Sequence, residues 1–228
     1  MDQFNQHIKN NNTQFFLNIN NSIIFDNKYK ILRSSIYYDK PDIFLCIFKI
    51  KDIKFNEKCL NWLLFYAIIL NRVDIVSKMI QLNFNIDISN NFALYISCCN
   101  GYFDMTKLLF NNCQDKTLLD YNNLVLFSAS NGHNKIIDFL LLNCHYNMSF
   151  NSHQILYWVF LNGHYNTINF LNSKGFDTSV LDDMDNSCST KFIVSFEADE
   201  YNFYNVRTSI KNNIFINCKK DVCEFNGL

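Results

Sequence analysis

One unit recurs along this chain at a fixed spacing, and a repeat of this length restricts the fold more than any single motif does. Segments 64–76, 94–106, 125–137 and 156–168 align without gaps. A weaker copy precedes them, with Leu32, Ser35, Asp39, Pro41, Asp42, Ile43 and Phe44 in the matching places. The turn positions fall at 39, 71, 101, 132 and 163, a spacing of 30 to 32 residues. A unit of that size holds one helix pair, which cannot bury its apolar face alone and must stack on its neighbours.

The residues inside each unit agree with a helical hairpin. An aliphatic residue opens the first helix (Leu32, Leu64, Leu94, Val125, Leu156), and three residues later stands a small one (Ser35, Ala67, Ser97, Ser128), with Val159 the exception. A small side chain lets two helices approach closely. Asn71, Gly101, Gly132 and Gly163 then mark a turn, because left-handed backbone is cheapest for Gly and tolerable for Asn. Asp39 in that place reads as the N-cap of the next helix, with Pro41 in its first turn, where a missing N–H costs nothing. The second helix repeats apolar residues at helical spacing: Ile43, Ile47, Phe48; Ile75, Met79, Ile80; Met105, Leu109, Phe110; Ile136, Leu140, Leu141. In the last copy Thr167 and Asn172 occupy two of these places.

Asn131-Gly132-His133, followed by Lys135-Ile136-Ile137-Asp138-Phe139-Leu140-Leu141, resembles the Gly-His turn and outer helix of the ankyrin repeat family. Asn162-Gly163-His164 repeats the turn, and Lys174-Gly175-Phe176-Asp177 is similar to the Gly-Ala-Asp ending of such a repeat. The Thr-Pro-Leu-His opening survives only as its Leu, as in Phe92-Ala93-Leu94-Tyr95. TPR and HEAT units, at about 34 residues or more, fit the spacing less well. The resemblance implies an all-α, ankyrin-type helical solenoid of about five to six stacked helix pairs. It divides the chain into an Asn-rich N-terminal cap (1–29), an array of about five repeats (30–177), and a degenerate C-terminal repeat or cap with a tail (178–228). It further implies a non-catalytic protein–protein interaction scaffold, with partner contacts before the inner helix and in that helix's last turn. Those positions are Asn91, Cys99, Asn100, Asn122, Ser130, Asn131, His153, Leu161 and Asn162.

Composition fits helices and excludes several functions. Hydrophobic residues make up 49% of the chain and aromatics 16%, whereas a single proline and five glycines are few for a sheet-rich fold. Asparagine, about one residue in six, reflects the bias of an AT-rich genome and carries no function. The formal net charge of −1 gives no general electrostatic case for nucleic acid or anionic membrane. No secretory signal opens the chain, and the longest apolar run, 62–70, is under half of the roughly 20 residues a bilayer span needs. Nine cysteines at irregular spacing read as reduced thiols used as small hydrophobes. The expectation is an intracellular, cytoplasmic monomer with an unidentified protein partner and no cofactor.

Candidate chemistry yields to simpler readings. His133 and His164 sit, on the ankyrin resemblance, at interhelical turns where they hydrogen-bond neighbouring backbone. Cys144 and His145 are adjacent, which rarely lets side chains face each other, and no third group orients the His. Cys188, Cys218 and Cys223 offer three thiolates, at spacings wider than a structural zinc site uses. No glycine-rich phosphate loop, His-Glu-x-x-His or Gly-x-Ser-x-Gly occurs. Phe65, Tyr95 and Tyr157 recur on the inner helix as packing between repeats. Asp182-Asp183-Met184-Asp185-Asn186 reads as a solvated loop, and Phe192-Ile193-Val194 with Phe203-Tyr204 as one more eroded repeat. A rival function is an adaptor of a ubiquitin-ligase-like assembly that docks through 178–228; another is a zinc-binding or enzymatic tail.

Overall fold

The computed structural model describes residues 2–50, 54–144, 146 and 152–181, and there the chain is all-helical. Its α-helices are α1 (Asp2–Lys9), α2 (Thr13–Asn18), α3 (Asn21–Tyr37), α4 (Pro41–Phe48), α5 (Glu57–Ile69), α6 (Val73–Gln81), α7 (Ile88–Cys99), α8 (Phe103–Asn112), α9 (Tyr121–Ser130), α10 (Asn134–Asn143), α11 (Ser152–Leu161) and α12 (Tyr165–Ser173). Single 3-10 turns at Lys116–Leu118 and Ser179–Leu181 complete the described elements.

Each odd-numbered helix turns directly into the even one that follows, and the same backbone device makes every turn. One residue takes a positive φ: Asn11 (51°), Asp39 (54°), Asn71 (54°), Gly101 (73°), Gly132 (75°) or Gly163 (75°). The next N–H then reaches back five residues, Arg72 to the Ala67 carbonyl (2.8 Å), Tyr102 to Ser97 (3.0 Å), His133 to Ser128 (2.9 Å) and His164 to Val159 (3.0 Å). This is the six-to-one bond of a Schellman ending, which requires a left-handed residue just past the helix. Asp39 is therefore not an N-cap. It is the left-handed residue, and Lys40 caps α4 without a side-chain bond, while Pro41 takes the first helical position as expected.

Two rows of helices result. α1, α3, α5, α7, α9 and α11 pack in chain order in an inner row; α2, α4, α6, α8 and α10 do the same in an outer row, and α12 packs on α11. An Asp138–Lys174 ion pair links α10 to the end of α12. Apolar side chains fill the space between rows, among them Leu32, Ile36, Leu64, Ile68, Leu94, Val125, Ala129 and Leu156. The buried hydroxyls of this core are satisfied locally. Ser35 Oγ donates to the Leu32 carbonyl (2.7 Å), Ser97 Oγ to Leu94 (2.8 Å) and Ser128 Oγ to Leu124 (2.7 Å). Thr106 Oγ1 donates to Ser97 Oγ (3.0 Å) across the α7–α8 hairpin.

The buried stripe of the outer row is shifted from the expected one. Phe44, Val76, Thr106 and Ile137 are buried, whereas Phe48, Ile80 and Leu141 are half-buried; Phe110 is buried as expected. Helix geometry explains the shift. With the stripe centred between positions i and i+4, position i+1 lies closer to its axis than i+5 does.

The N-terminal end contains a short helix pair, α1–α2, packed on α3 and α4. The boundary read between residues 29 and 30 falls inside α3. At the other end, the Ser179–Leu181 turn packs on α11, and the loop at 182–186 and the proposed eroded repeat beyond it lie outside the described residues.

Candidate functional site

A side-chain ladder joins each hairpin to the one before. The residues that follow the left-handed Asn71, Gly101 and Gly132 bond last-turn carbonyls of the preceding inner helix. Arg72 Nε and Nη2 donate to the carbonyls of Ile36 (3.1 Å) and Tyr37 (2.8 Å). Tyr102 Oη donates to Ile69 (3.2 Å), and His133 Nε2 meets the Cys99 carbonyl at 2.9 Å. A carbonyl only accepts, so the His133 proton sits on Nε2. In the next rung Asn162 Nδ2 donates to the Ser130 carbonyl (2.8 Å). His133 and His164 are both held below the ordinary histidine range, chiefly by burial. Hydrogen bonds to the carbonyls of Cys99 and Ser130 oppose that shift, and for His133 the charge of His164 adds to it.

The glycines of these turns have a second role. A Cβ built on Gly101 meets Cε1 and Nδ1 of His133 at 2.6 Å, and one on Gly132 meets Nδ1 of His164 at 2.9 Å. The turns at Gly101 and Gly132 are thus each the seat of the next hairpin's imidazole. Gly163 has no such neighbour within 4 Å, although its φ is the same as that of Gly132.

This ladder covers part of the expected contact surface. Cys99 is 3% exposed and Ser130 4%, because the following hairpin covers the last inner turn to reach their carbonyls. Asn91 is 6% exposed, with φ at 61° and its Oδ1 accepting from Cys113 Sγ at 3.6 Å. All three side chains are buried. Asn100 and Asn131 are half-buried, and each donates Nδ2 to a carbonyl of its own helix, Ile96 and Phe127, both at 2.8 Å. Asn122, Leu161 and Asn162 are half-buried and His153 is exposed.

The open side of the inner row carries aromatic groups that the expected contact positions omitted. Trp62 and Tyr66 stack with centroids 5.0 Å apart, and the Arg33 guanidinium lies 5.9 Å from the Tyr66 centroid. Tyr95 meets Phe127 edge-on at 5.9 Å, and Tyr157 lies 5.1 Å from Trp158; all four are half-buried. Phe65, by contrast, is buried against Phe92 at 5.6 Å. Burial, then the Asp120 charge, pushes the Tyr95 phenol up to about 12. A sequence signal for part of this row exists: Tyr66, Phe127 and Trp158 each stand five residues before the turn position.

Burial pushes the Cys98 and Cys144 thiols up to about 12 and that of Cys113 to about 11, so the reactive thiolate is scarce at neutral pH. Among the described residues no group of three His, Cys, Asp or Glu side chains is placed to hold a metal ion. His145 and the Cys188, Cys218 and Cys223 set lie outside the described residues. No described helix is long and apolar enough to cross a membrane.

Comparisons with protein-family models, curated proteins and solved structures find no match to this chain. Among the described residues the chain is an all-helical series of hairpins arranged in two rows.

Proposed function

We propose that this chain is an ankyrin-type helical solenoid that serves as a non-catalytic, intracellular scaffold for a protein partner. One observation carries the reading. Half-buried aromatic side chains recur on the open side of the inner row, at Trp62, Tyr66, Phe127 and Trp158, on helices that the ladder holds in fixed relation. Aromatic residues and arginine are the side chains that anchor protein interfaces. A stacked array keeps such a row rigid, so little conformational entropy is lost when a partner docks.

Proximity labelling in cells, with the full chain and its Trp62→Ala/Tyr66→Ala variant, tests the scaffold reading. The expected result is a defined set of neighbours around the wild type that falls away in the variant at equal expression and equal helical circular dichroism. Trp158→Ala repeats the test at the other end of the row. An identical neighbour set for the wild type and both variants would refute the reading.

A further inference from the structure

Charge on the inner row is confined to its N-terminal part. α7, α9 and α11 contain no Lys, Arg, Asp or Glu, whereas α3 and α5 carry Lys28, Lys30, Arg33 and Lys58 against Asp26 and Glu57. Helical spacing gathers the open side of these two helices into one patch. On α3 it presents Ile23, Asp26, Lys30, Arg33 and Tyr37; on α5 it presents Lys58, Trp62 and Tyr66. The exposures agree with that geometry. Ile23 is 43% exposed and Tyr37 54%, Lys30 and Lys58 are exposed, and Arg33, Trp62 and Tyr66 are half-buried. Two helices are bridged there by the Arg33–Tyr66 contact. Neither Lys30 nor Lys58 forms an ion pair among the described residues.

From this we infer that the α3–α5 end of the inner face binds an acidic peptide segment bearing apolar side chains, its carboxylates meeting Lys30, Arg33 and Lys58 and its apolar groups resting on Ile23, Tyr37 and the Trp62–Tyr66 stack. The inference rests on the scaffold reading and names the chemistry of the partner. Complementary charge fixes orientation and speeds encounter, while desolvated aromatics supply most of the affinity. A nucleic acid is the poorer occupant. Three cations beside the Asp26 carboxylate make a short patch, not the continuous basic stripe that a phosphate backbone requires.

Fluorescence anisotropy with the full chain tests this. The probes are a labelled twelve-residue peptide alternating Glu and Phe, its Lys-for-Glu analogue, and a single-stranded oligothymidylate of matched charge. The acidic peptide is expected to bind, to weaken as salt rises, and to lose about tenfold in affinity in K30E and again in K58E. Both positions are exposed, and unchanged melting temperatures confirm that each variant is folded. Equal binding of the Lys analogue, tighter binding of the oligonucleotide, or affinity unmoved by either charge reversal overturns the inference. Proximity labelling with K30E/K58E separates it from the broader reading: a neighbour set lost in Trp62→Ala/Tyr66→Ala but kept in K30E/K58E upholds the scaffold and rejects the acidic partner.

Discussion

Replacing Gly101 by Ala isolates the seat that joins one hairpin to the next. Two costs combine. The backbone is at φ 73°, where an L side chain costs about 1–2 kcal/mol. The new Cβ also lies 2.6 Å from the His133 ring, so the imidazole must withdraw and its 2.9 Å bond to the buried Cys99 carbonyl is lost, at about 1–2 kcal/mol. Gly163→Ala provides the internal control, with φ at 75° and nothing within 4 Å, so it bears the backbone cost alone. Urea unfolding followed by circular dichroism should therefore show Gly101→Ala costing about 2–4 kcal/mol and Gly163→Ala about 1–2 kcal/mol. The double-mutant cycle sharpens the test. His133→Ala removes the ring with which the methyl collides, so the double variant should be more stable than the summed single effects by about 1 kcal/mol. Equal costs for the two glycine variants, or additive effects in the cycle, would refute the seat as a coupling element.

Other consequences follow from burial and titration. Leu140 is fully buried, so Leu140→Asp should cost at least about 3 kcal/mol and flatten the cooperative unfolding transition, while Asn131→Ala, at a half-buried helix end, should cost about 0.5 kcal/mol. Similar effects from the two would contradict the register of α9 and α10. The histidines give a pH dependence of known sign. Because His133 and His164 are held below the usual value of 6.5, the unfolded chain takes up protons first as pH falls. Their contribution is full above about pH 6.5 and is lost as pH falls through the lowered folded values. Melting temperature should thus decline from pH 7.5 to 5, and less steeply in His133→Gln; an unchanged slope would reject neutral, buried imidazoles.

Much of the proposed binding face was hard to read from residue order for a definable reason. The positions with a periodic local cause, such as the aromatic residue five before the turn, were recoverable. Cys99 and Ser130 were not, since they look like ordinary last-turn residues and become covered only when the next hairpin arrives. Asn91 lies beside Cys113, 22 residues away, and no local pattern announces that contact. His133 and His164 are the exception. A histidine after a turn glycine is a local motif, and the expectation that His133 bonds neighbouring backbone agrees with its place on the Cys99 carbonyl.

The chain by itself determined where helices begin, turn and end, because those choices depend on groups within five residues: the left-handed residue at each turn, the six-to-one bond it permits, and an apolar stripe at helical period. Tertiary structure decided which side of each inner helix stays open. It set the Asp39 carboxylate 3.7 Å from Arg72, and it placed the α1–α2 pair on α3 and α4. The rungs of the ladder connect residues 32 to 36 positions apart, further than any local rule reaches, so only the stacking of one hairpin on another could specify them.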